Sequence, residues 1–118
     1  MSDEQTRLTD LKTAVARFAE ARGWGRLHDP KNLAIALAVE VAEFAEFFQW
    51  LTPEESYAFV QNPENKARIE QEVADIMIYL LTICTTFSID LSTALTEKLI
   101  MNAQKYPEPD CDTDTSAS

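Results

Sequence analysis

Apolar residues recur along this chain at helical spacing. Nowhere do they alternate over a useful length, so the pattern predicts helices and no strands. Leu8, Leu11, Val15 and Phe18 form one stripe in a first helix running from Ser2 or Thr6 to Arg22. A second helix is predicted from Lys31 to Leu51, with Leu33, Leu37, Phe44, Phe48 and Leu51 on one face. Thr52-Pro53-Glu54-Glu55 has the form of a capping box with proline at the first helical position, and opens a short helix to Val60. Asn62-Pro63 repeats the start signal. The long helix that follows, to Phe87, carries Ile69, Val73, Ile76, Leu80, Ile83 and Phe87 at alternating spacings of three and four. Asp90 or Ser92 caps a last helix reaching Tyr106. Gly23, Gly25 and the prolines all fall between these segments or at their starts, which is the punctuation of an all-α protein.

Four long helices with short connections make a four-helix-bundle-type subunit the expected architecture. The second helix is apolar on several sides, since Ile35, Val39 and Val41 lie off its main stripe. That surplus predicts completion of the bundle by homo-oligomerisation, against the plainer alternative of a monomer with some exposed apolar residues. Residues 1–107 read as one domain. Residues 108–118 carry no apolar pattern and read as a disordered acidic tail.

Charge narrows the partners. The 118 residues carry 10 Lys+Arg against 20 Asp+Glu, a formal net charge of -10. This argues against nucleic acid and anionic membrane surfaces as partners. No apolar run approaches the ~18 residues of a membrane span, and Met1-Ser2-Asp3-Glu4 is unlike a signal peptide. Cys84 and Cys111 have no metal-ligand spacing, which suits reduced thiols in a cytoplasmic protein.

The informative feature is where the acids fall. At about 100° per residue, Glu40 lands within the Leu33/Leu37/Phe44/Phe48 stripe, and Glu43 lands beside it. On the long helix Glu72 borders the seam, with Asp75 and Tyr79 just beyond it. Carboxylates that converge at core-facing edges repel one another and must take up protons or hold cations. An all-oxygen set on rigid helices suits Mg²⁺ or Mn²⁺. The alternative is that these acids are solvated, or paired with Lys12, Arg17 or Arg68.

Lys98, Asn102 and Lys105 share a face of the last helix and suit a phosphate chain, although a solvated face near a helix C-terminus is the commoner meaning of such a run. Trp24, Trp50 and Tyr79 are candidates to stack on a base, and His28 to contact phosphate or sugar. Trp50 follows Glu40 by ten residues, about 15 Å along a continuous helix, a span that suits an extended nucleotide.

Glu40-Val41-Ala42-Glu43 followed by Glu72-Val73-Ala74-Asp75 resembles the acidic signature of the MazG-like all-α nucleotide pyrophosphohydrolases. His28-Asp29-Pro30-Lys31-Asn32-Leu33, Phe48-Gln49-Trp50, Ile89-Asp90-Leu91 and Asn102-Ala103-Gln104-Lys105-Tyr106-Pro107 resemble the branch that acts on dCTP. The resemblance covers residues 6–107. It implies Mg²⁺-dependent hydrolysis of a nucleoside triphosphate to monophosphate and pyrophosphate. Glu40, Glu43, Glu72 and Asp75 would hold metal, with Glu40 or Glu43 acting on the attacking water. Lys98, Asn102, Lys105 and Tyr106 would face phosphate and sugar, and Trp24, His28, Trp50 and Tyr79 the base side. It further implies assembly by dimerisation, often as a dimer of dimers.

Two departures stand out: Ser88 occupies a position where relatives often carry glycine, and Val15 one where some carry a polar residue or histidine. Three other readings stay open. One is a non-catalytic helical interaction module, and another is broad clearance of modified nucleotides. The third, a di-iron or di-manganese bundle, is disfavoured because Glu-x-x-His is absent from both acidic turns.

Overall fold

The computed structural model describes residues 1–109; the acidic tail expected beyond Pro107 lies almost wholly outside the described residues. All regular elements among the described residues are helices: α1 (Leu8–Ala21), a 3₁₀ turn (Trp24–Leu27), α2 (Pro30–Glu46), α3 (Pro53–Gln61), α4 (Pro63–Thr86) and α5 (Leu91–Lys105). Among the described residues no single helix is long and apolar enough to cross a membrane.

The helix starts follow from their caps. Asp29 accepts from the Asn32 amide at 2.8 Å, with Pro30 as the first helical residue of α2. Thr52 and Glu55 form the reciprocal capping box, with Glu55 Oε1 accepting from the Thr52 amide at 2.8 Å and Thr52 Oγ1 from the Glu55 amide at 3.2 Å. Asn62 accepts from the Glu64 and Asn65 amides at the head of α4. Asp90, the first of the two caps proposed for α5, accepts from the Thr93 amide at 3.0 Å.

One expected boundary is wrong. The second helix was predicted to continue to Leu51, but α2 stops at Glu46 and residues 47–50 form turns. The cause is a cluster of phenylalanine rings. Phe48 packs edge-on against Phe44, Phe47 and Phe59, with centroids 5.6, 6.2 and 5.7 Å away. Turning the chain here brings the Phe47 and Phe48 rings onto Phe59 of α3, burial that a continued helix would forgo. The Arg68 guanidinium lies 5.1 Å from the Phe47 centroid. The helical rise therefore cannot be counted from Glu40 to Trp50.

Residues 1–88 form one compact unit and residues from Ile89 onward a second. In the first, α2 packs along α4, and α1 and α3 also lie against α4. Leu33, Leu81 and Cys84 are its buried apolar residues, and Thr82 is buried with its hydroxyl donating to the Ile78 carbonyl at 2.8 Å. The second unit contains α5, on which Leu95, Leu99, Ile100 and Met101 are exposed.

Ser88 ends the first unit with φ +57°, a left-handed conformation that an L side chain adopts at a cost. Ser88→Gly is expected to stabilise the fold by about 0.5–1 kcal/mol, the relief of Cβ crowding less the added freedom of the unfolded chain. Denaturant unfolding of the two proteins measures it.

Candidate functional site

The packing of α2 on α4 decides where the acids go. Glu40 and Glu43 lie one turn apart on α2, and Glu72 comes from α4. Each of the three offers an oxygen within 4.8 Å of those of the others. Glu40 and Glu72 are half-buried and Glu43 is exposed. Glu40 Oε2 and Glu72 Oε2 are both buried without a hydrogen-bond partner. Asp75 stands outside this tight trio, but its charge acts on Glu40 and both line the same cleft. So three of the four carboxylates converge closely and the fourth flanks them.

The electrostatics follow. Burial, the contact with Glu72, and the charges of Glu43 and Asp75 all favour the protonated form of Glu40 and push its pKa up to about 7. An orphaned carboxylate oxygen facing other carboxylates needs a proton or a cation. With their oxygens all within 4.8 Å of one another, the three carboxylates are close enough to share one divalent ion. The donor set is all oxygen, so the residues present fit a hard divalent cation.

Glu40 and Asp75 open onto a cleft of about 500 Å³ in the first unit. Its lining combines Glu40 and Asp75 with Trp24, His28, Tyr79, Phe18 and Val15, which is a size and mixture suited to a small molecule. Trp24 and His28 arrive from the 3₁₀ turn and the residue after it. Gly23, at φ +67°, permits the reversal that brings this turn back over α1. Tyr79 arrives from α4, one turn past Asp75.

The structure thus joins Trp24, His28 and Tyr79 to the acids. It does not join Trp50, which is 86% exposed and lines none of the described clefts. Lys98, Asn102, Lys105 and Tyr106 lie on or just after α5 in the second unit, where the Lys105 ammonium sits 5.3 Å from the Tyr106 centroid. Phe18 and Thr82 were not singled out from sequence as site residues. Phe18 was legible only as one more member of the α1 core stripe, yet it is half exposed and lines the cleft.

Fold and site together define an all-α protein with a carboxylate cluster at the edge of an aromatic cleft. A family model described as MazG-like matches residues 35–116, and the chain belongs to that family. dCTP pyrophosphatase 1 of Rattus norvegicus is 37% identical over 100 residues, covering 85% of this chain and 59% of the relative. The Bos taurus protein of the same name is 39% identical over 106 residues, covering 90% of this chain and 62% of the relative. The chain spans about three fifths of the length of these curated relatives. The crystal structure of a pyrophosphatase from Archaeoglobus fulgidus superposes with a TM-score of 0.82 at 34% identity, covering 92% of this chain and 99% of that one.

Proposed function

We propose that this protein hydrolyses a nucleoside triphosphate, with dCTP or a 5-substituted dCTP favoured, to the monophosphate and pyrophosphate, using Mg²⁺ or Mn²⁺ held by its carboxylates. The observation that carries this is the pair of buried, unpartnered oxygens on Glu40 and Glu72, with Glu40 lining the same cleft as Trp24. The family and the names of its relatives agree with it.

In this reading Glu40, Glu43 and Glu72 hold the cation, with Asp75 flanking. A bound divalent ion supplies charge neutralisation of the triphosphate and polarisation of its phosphorus. The rest falls to the chain's own groups. Trp24, Tyr79 and His28 hold base and sugar in the cleft. Glu43, the exposed member of the trio, is open to water and orients the molecule that attacks the α-phosphorus, or takes its proton. The α–β phosphoanhydride bond breaks and pyrophosphate leaves. Lys98, Asn102, Lys105 and Tyr106 are assigned to the phosphate and sugar side. No serine, cysteine or histidine nucleophile is needed.

The protein works as a homo-oligomer in this reading, with a dimer of dimers favoured. The exposed apolar residues of α2 and α5, and Trp50 itself, form surface that a second copy covers. The acidic balance and the absence of any spanning helix among the described residues fit a cytoplasmic enzyme that takes neither nucleic acid nor membrane as partner.

A panel of ordinary and modified dNTPs, each with Mg²⁺ and with EDTA, tests the proposal. The expected result is equimolar monophosphate and pyrophosphate from dCTP or its 5-substituted forms, abolished by EDTA. Equal rates on many modified nucleotides would shift the reading to broad clearance. No turnover, with no thermal stabilisation by Mg²⁺ plus nucleotide, would leave a helical interaction module.

A further inference from the structure

At the C-terminal end of α1 the Arg22 guanidinium lies over the Phe18 ring, with its central carbon 3.5 Å from the ring centroid. Nη1 of Arg22 also donates to the Phe18 carbonyl at 3.1 Å. The side chain is therefore held at two points, one on the ring and one on the backbone of the same residue. Phe18 in turn meets Trp24 edge-on, with centroids 5.6 Å apart and planes at 68°. Both rings line the cleft that contains Glu40 and Asp75, and Arg22 does not. Phe18 is 51% exposed and Trp24 42%, so neither ring is fixed by burial in the core.

We infer that Arg22 is a positioning residue for substrate: it clamps Phe18, Phe18 braces Trp24, and the braced pair forms a preorganised wall for the nucleobase. This rests on the nucleotide reading above. Two half-exposed rings in a cleft would otherwise sample several rotamers, and a base binding between them would have to order them first. A planar guanidinium suits this task better than a point charge. It lies over the ring face while its N–H groups, in the guanidinium plane, reach the carbonyl one turn back. The four-residue spacing of Phe18 and Arg22 on one helix makes the contact geometrically available.

The test compares the parent with Arg22→Gln, Arg22→Lys and Phe18→Leu. It measures kcat and KM for dCTP with Mg²⁺, and the inhibition constant of inorganic tripolyphosphate, which has phosphates but no base. Arg22→Gln is expected to raise KM about two- to fivefold, the worth of an exposed cation–π contact. Phe18→Leu should raise it about two- to tenfold through the lost aromatic contact. In both, kcat and tripolyphosphate inhibition stay at the parent values. Arg22→Lys keeps a charge that can lie over the ring or reach the carbonyl, but lacks the planar fork that does both at once, so its KM should rise above the parent's while staying below that of Arg22→Gln.

Weaker tripolyphosphate inhibition in the variants would show that Arg22 acts as a general phosphate attractor and overturn the inference. Parent-like KM in Arg22→Lys would assign the effect to charge or to the helix end and overturn it also, as would unchanged KM in Arg22→Gln. A parent that hydrolyses no nucleotide and is not stabilised by dCTP would instead fail the functional reading, and this inference with it.

Discussion

Glu40→Gln is expected to lower kcat/KM by at least about a hundredfold, because cation-held charge stabilisation contributes several kcal/mol to reactions of this kind. In the metal-free protein the same change should raise the melting temperature at about pH 8. Both effects come from one atom. Glu40 Oε2 is buried with no hydrogen-bond partner, as is Glu72 Oε2 in the same carboxylate trio. A glutamine amide in its place donates to Glu72 and removes one charge from the cluster, but no longer offers a full charge to a cation.

The pH dependence has a definite sign. The pKa of Glu40 is raised from 4.5 to about 7 in the folded protein, by burial first and then by Glu72, Glu43 and Asp75. The native state therefore holds this proton more tightly than the unfolded chain does. Metal-free stability falls as pH rises from about 4.5 to about 7, and the loss is complete above that. Glu40→Gln should flatten this slope, and saturating Mg²⁺ should offset the loss at high pH by stabilising the ionised form. Thermal melts from about pH 5 to about pH 8, with EDTA or Mg²⁺, read all three. Parent-like turnover in Glu40→Gln would remove the carboxylates from the metal site.

The other large effect concerns assembly. Scattering or sedimentation at micromolar concentration is expected to give a multiple of 13.3 kDa, with a melting temperature that rises with protein concentration. Among the described residues only Leu33, Leu81 and Cys84 are buried apolar side chains, a small core for helices of this length. Ile35 and Val39 on α2, Val73 and Leu80 on α4, and Leu95 and Leu99 on α5 remain exposed. So many exposed large apolar side chains on three helices are the mark of surface that another chain covers. A stable 13.3 kDa species with a concentration-independent melt would show that the subunit folds alone.

The helices, their order and nearly all their starts were legible in the sequence. From α2 to α5 each start is a local event, a side-chain oxygen meeting an amide two or three residues on, with proline next to the cap at α2, α3 and α4. Helical periodicity likewise put Glu40 and Glu43 on one helix edge and Glu72 and Asp75 on another, because that needs only the angle between neighbouring residues. The end of α2 was not legible. It depends on Phe47 and Phe48 finding Phe59 on another helix, a contact between elements that no local pattern encodes. For the same reason the span from Glu40 to Trp50 was misjudged. Only the packing of α2 on α4 decided that Glu72, and not Asp75, joins Glu40 and Glu43 closely. Only the reversal at Gly23 turned Phe18 and Trp24 into neighbours at one cleft, since ring contacts and buried oxygens are set by which surfaces meet.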